Sequence, residues 1–174
     1  PMSVTEIIIV VVVVLVWLGL VSLVLRGWRN RGRRQADMIG EMPVAPDDLG
    51  DAILGPDSGL YVGSTIAPSW QDRVAVGDVG DRASATMTAY PDGVLLERRG
   101  ASEIWIPGSS ITAVRTERGL AGKVMTADGL LVIRWILPSG TEIDSGVRAD
   151  DKSVYPRWVA AFDTQTDTEQ RNDQ

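Results

Sequence analysis

From Ile7 to Leu25 the chain reads IIIVVVVVLVWLGLVSLVL, with no charge and no polar stripe. At about 1.5 Å per residue such a segment spans roughly 28 Å as a helix, close to the ~30 Å hydrocarbon core of a bilayer. Its β-branched residues would make a poor helix in water, but in lipid every backbone group must be satisfied within the segment. A buried helix of a soluble protein needs a polar face toward water, and this run has none. The pattern predicts a transmembrane helix over 7–25.

Beyond Leu60 the rhythm changes to short apolar stretches separated by turn residues. Ser84–Tyr90, Val94–Arg98, Glu103–Ile106, Ile111–Thr116, Lys123–Thr126, Leu130–Leu137 and Thr141–Val147 read as strands. Pro91-Asp92-Gly93 and Pro138-Ser139-Gly140 are hairpin turns, because Pro presets φ and Gly accepts positive φ. Leu130–Leu137 is nearly all apolar and predicts a central strand buried on both faces. About seven strands with turns every 6–12 residues favour a barrel or sandwich. Val154, Trp158, Val159 and Phe162 then fall on one face of a helix, with Ser153 as its N-cap and Pro156 in its first turn. The fold expectation is therefore mainly β: an antiparallel barrel of about seven strands with a C-terminal capping helix.

Charge orients the apolar run. Glu6 precedes it, and Arg26, Arg29, Arg31, Arg33 and Arg34 follow. The positive-inside rule places the N-terminus outside and the rest of the chain in the cytoplasm. A signal peptide carries its basic residues before the apolar run and a small-residue cleavage site after it, the reverse of this arrangement. Trp28 with the five arginines predicts a membrane-interface belt. Trp17 lies mid-span.

The remainder is acidic. Taking the five arginines and Glu6 from 17 Lys+Arg and 23 Asp+Glu leaves 12 basic against 22 acidic side chains over 35–174. Such a surface repels nucleic acid and an anionic leaflet, so the expected partners are the lipid bilayer around the anchor and a protein, with no nucleic acid. Residues 35–58 mix Pro, Gly and acids without a period and read as a linker with at most one helical turn. Residues 165–174 lack apolar side chains and read as a disordered tail. The organisation expected is an external N-terminus 1–6, the span 7–25, a basic stop-transfer and linker 26–58, a folded domain 59–164 and the tail.

The phrases GLYVGSTIAPSWQDRVAVGDVGDRASATM and IWIPGSSITAVRTERGLAGKVMTADGLLVIRWILPSGTEIDSGVRAD, together with the strand order and the helix Trp158, resemble a family of actinobacterial single-pass membrane proteins with a pleckstrin-homology (PH)-like domain. The resemblance covers about residues 1–164. It implies a PH-like fold and a binding or scaffold role, with lipid-headgroup or small-ligand binding as the alternative. In PH-type headgroup sites the basic residues lie on the first two strands and their connecting loop. The nearest match here is Arg98 and Arg99, with Arg115, Arg118 and Lys123 as neighbours. Pro91-Asp92 places an acid where further cations are expected.

No His and no Cys excludes disulfides, Cys/His zinc sites, thiol nucleophiles and a His-based triad. Gly119 to Lys123 lacks the phosphate-loop spacing, and Val124 stands where a hydroxyl is needed. Asp47-Asp48 and Asp150-Asp151 read as solvated or helix-terminal charge rather than a metal site. No carboxylate pair is placed for acid–base work, so neither catalytic residues nor a cofactor is expected. Trp70 and Arg73 are read as a packing element or a protein contact, since Trp and Arg are enriched at interface hot spots. Trp105 and Trp135 are expected in the barrel core.

Overall fold

The computed structural model describes residues 2–69, 72–117, 119–120, 123–124 and 129–172. The chain divides into two compact units, 1–37 and 38–174.

The first unit is almost entirely α1 (Val4–Ile39), whose last two residues already belong to the second. A capping box starts the helix: Glu6 N–H donates to Ser3 Oγ at 3.4 Å, and Ser3 N–H donates to Glu6 Oε2 at 2.7 Å. The helix does not stop at Leu25. Residues 26–39, expected to lead into a linker, remain helical because Arg, Gln, Ala and Met are good helix formers and outweigh Gly27 and Gly32. Gly40, at φ 61°, ends it in the left-handed conformation common after helix C-termini. Among the described residues, α1 alone is long and apolar enough to cross a membrane, and the apolar side chains of its 7–25 run are exposed.

The second unit is built on β1 (Leu54–Ile66), β2 (Ala83–Tyr90), β3 (Gly93–Arg98), β4 (Ile104–Pro107), β5 (Ile111–Glu117), β6 (Gly119–Leu120), β7 (Lys123–Val124), β8 (Leu130–Ile136) and β9 (Glu142–Ala149). Seven of these form one antiparallel sheet in the order β4-β3-β2-β1-β9-β8-β5, and β6 and β7 form a separate hairpin. A single core takes side chains from β4 through to β5, including Ile104, Met87, Tyr61, Ile143, Trp135 and Val114, so the sheet curls around it. The edges β4 and β5 are not paired, and α2 (Tyr155–Asn172) packs against β5. Trp158 is fully buried in the same core, and its ring stacks on Phe162 at 6.3 Å.

Seven strands were expected, and the main sheet has seven among the described residues, but the set differs. β1 starts inside the expected linker, and Lys123–Val124 belongs to the outlying hairpin. Leu54-Gly55-Pro56-Asp57-Ser58-Gly59 reads as a turn by composition. Gly59 is needed for packing: a Cβ there would lie 2.4 Å from the Arg148 carbonyl oxygen on β9. β8 is buried on both faces as expected, with Leu131, Ile133 and Trp135 in the main core and Leu130 and Val132 in a second cluster with Val62. It lies next to the sheet edge rather than at its centre. Trp135 is in the core, whereas Trp105 is buried on the opposite face of β4 from Ile104 and Ile106, over Gly93. Strand alternation forces that difference.

At the C-terminus Asp151, not Ser153, is the cap. Its carboxylate accepts from Ser153 N–H at 2.9 Å and Ser153 Oγ at 2.6 Å ahead of a single 3-10 turn, Lys152–Val154. The segment expected to be a disordered tail continues α2 to Asn172. A helix already nucleated by packed turns propagates at little cost through Glu169, Gln170 and Arg171.

Candidate functional site

Between the first two strands, the described residues 67–69 and 72–82 include a dense polar network. Residues 72–74 run beside the end of β1, with Ile66 N–H donating to Asp72 O at 2.8 Å and Val74 N–H donating to Ser64 O at 2.9 Å. Val74 and Val79 turn into the core and close that end of the sheet. Arg98 on β3 clamps the loop. Its Nη1 donates to the carbonyls of Asp78 at 2.7 Å and Asp81 at 3.2 Å, its Nε to Ser102 O at 2.8 Å, and its Nη2 to Asp78 Oδ1 at 3.1 Å. The guanidinium lies 4.9 Å above the Tyr61 ring, and the Arg98 side chain is 0% exposed. Ser102 N–H donates to the other Asp78 oxygen at 2.7 Å. That bond, more than Arg98, holds the Asp78 carboxyl below its ordinary range.

Tyr61 ties this clasp to the core. Its hydroxyl donates to Val79 O at 2.6 Å and pairs with Ser64 Oγ at 2.5 Å. Ser64 Oγ pairs with Ser145 Oγ at 2.7 Å, which accepts from Trp135 Nε1 at 3.0 Å. Burial pushes the Tyr61 phenol up to about 12, against the lowering effect of these bonds.

A second cluster lies on the other face of the sheet, across β5, β8 and β9. Asp144, with its side chain 5% exposed, takes two bonds from Arg134 at 2.9 Å each and two from Arg115 at 3.0 and 3.4 Å. Burial alone would raise its carboxyl, but the two guanidiniums outweigh that and hold it low. Glu117 and Glu142 flank the arginines, so three carboxylates face two cations. Thr65, opposite Asp144 on β1, has a buried hydroxyl with no hydrogen-bond partner among the described residues.

The expected headgroup set is thus divided. Arg98 is enclosed in the loop clasp and does not face solvent. Arg115 is engaged by Asp144 and Glu117. Arg99 is exposed at the end of β3. Arg118 lies outside the described residues, and Lys123 is placed only by its backbone on β7. Trp70 also lies outside the described residues, while Arg73 directs Nη2 to Gly80 O at 2.7 Å. Arg26, Trp28, Arg29, Arg31, Arg33 and Arg34 are exposed along α1. Among the described residues no group of three or more carboxylates converges as a metal site. Tyr61, Asp78, Arg134 and Asp144 escaped the sequence reading. Only Arg134 gave a signal, as a lone charge inside an apolar strand.

A curled seven-stranded antiparallel sheet with a C-terminal helix on one edge and a long first loop defines a PH-like domain. The family described as bacterial PH domain-like matches residues 39–163, and the chain belongs to it. No curated protein matches the chain.

Proposed function

We propose that this is a single-pass membrane protein that holds its PH-like domain at the cytoplasmic face, where the domain binds a protein partner. The observation that carries this reading is the union of an exposed apolar helix with a self-contained domain of a generally non-catalytic binding family. Arg26, Arg29, Arg31, Arg33 and Arg34 after the span, with Glu6 before it, support this orientation through the positive-inside rule. Confinement to a membrane raises the effective concentration of a partner without adding a contact. Headgroup binding is the less favoured reading, because Arg98 is bonded to the loop it would need to open and Arg115 is neutralised by Asp144. Binding rather than catalysis also fits a chain without His or Cys.

The test is crosslinking mass spectrometry on native membranes containing the full chain, with a fluorescent reporter at the C-terminus. We expect cytoplasmic fluorescence and one heterologous protein crosslinked to residues of 38–172. Crosslinks to lipid and self alone, or an externally exposed C-terminus, would overturn the reading.

A further inference from the structure

We infer that Met42-Pro43-Val44-Ala45-Pro46, in the strap joining α1 to β1, is the partner-docking element, and that it fits a protein groove lined by aromatic rings and rimmed by Lys and Arg. This deepens the binding-module reading and rests on it.

Covalent chemistry shapes the segment. Pro43 and Pro46 have fixed φ, and Met42 and Ala45, each preceding a proline, are pushed into extended backbone. Four of the five residues therefore favour a polyproline-type helix with three residues per turn. Their burial follows that period. Met42 packs on the core and Ala45 is half-buried, giving one inward edge. Val44 and Asp47 are exposed on the second edge, and Pro43 and Pro46 are half-buried and exposed on the third. Val44 is 87% exposed, more than any other large apolar residue described, the membrane helix included. The segment forms no strand, and among the described residues the backbone of Pro43–Pro46 has no hydrogen-bond partner.

Both ends of the strap are fastened. Ser139 Oγ and Thr141 Oγ1 each donate to Met38 O at 2.5 Å, and Ile53 N–H donates to Ala89 O at 2.7 Å. A ridge fastened at both ends and stiffened by two prolines loses less entropy on docking than a free segment. Paired prolines on an extended ridge are read by aromatic-lined grooves. Glu41, Asp47, Asp48 and Asp51 are all exposed and give the ridge a negative border, which selects a basic rim.

A photo-crosslinking residue at Val44 of the full-length chain, in native membranes, tests this. One heterologous adduct should form. It should fall at least tenfold with Pro43→Ala plus Pro46→Ala, fall with added salt, and be displaced by excess peptide 41–51 but not by its double-alanine form. Circular dichroism of the double variant checks that the domain is still folded. No adduct, an adduct with lipid or a second copy, or one indifferent to the alanines would overturn the inference. If Val44 is silent while crosslinking elsewhere on the domain captures a protein, the strap assignment fails and the binding-module reading stands. If both are silent, both fail.

Discussion

Arg98 shows how a single side chain can look like a ligand site and instead be a structural pin. Its donors meet three carbonyls and a carboxylate. The Asp78 side chain is 35% exposed, so the ion pair itself is screened by water, but losing hydrogen bonds from a buried charged group costs about 1.5–3 kcal/mol. Arg98→Ala should lower the stability of the domain by about that much in urea unfolding. Arg98→Lys should recover only part of it, since one ammonium cannot match the fork. Tyr61 makes a prediction of opposite pH sense to a carboxylate. Its folded-state pKa is raised to about 12 from 10, so its contribution is complete below pH 10 and is lost as pH rises toward 12. Tyr61→Phe should remove that alkaline loss in stability-against-pH curves, and an unchanged curve would show that the phenol does not titrate with unfolding. Neither role was readable from sequence: Arg98 and Asp78 stand 20 positions apart and meet only because the first loop folds back.

At the scale of elements, legibility followed periodicity. β2 alternates, β3 and β8 stand out as apolar runs between turn residues, and the first turns of α2 repeat at helical spacing; all were recovered within a few residues. β1 was lost because Gly55, Pro56 and Gly59 look like punctuation. Its glycine at 59 serves close strand approach, a tertiary demand that no local pattern announces. The continuation of α1 past Leu25 was hidden by a change from apolar to charged residues, which alters the solvent but not the helix. α2 holds the sheet edge through Trp158, whose Nε1 also donates to Asp57 Oδ2 on β1 at 2.8 Å. Trp158→Ala should therefore cost about 3–5 kcal/mol, by cavity formation plus a stranded acceptor. Thermal melts of Trp158→Phe, which keeps most of the volume, should fall between wild type and alanine.

For the whole molecule, the division near Met38 separates a unit whose helix is long and apolar enough to cross a membrane from an acidic unit that folds around its own core. A chain beginning at Met38 should remain in the supernatant after ultracentrifugation without detergent and give a cooperative melt, whereas the full chain should sediment with membranes. Sedimentation of the shortened form with anionic vesicles would argue that the domain itself holds lipid. The contrast between a greasy run and an acidic remainder was legible from residue order, although α1 runs on past the greasy residues to Ile39. The candidate site was not, because its cations are answered by acids that lie close only after the sheet curls.

β4 ends the sheet with its backbone concealed: Ile106 is 0% exposed, and Ile104 and Trp105 are 2% and 4% exposed. An open strand border invites neighbours to zip together, edge to edge. Here that seam is sealed, so β4 offers no free ladder to a second copy.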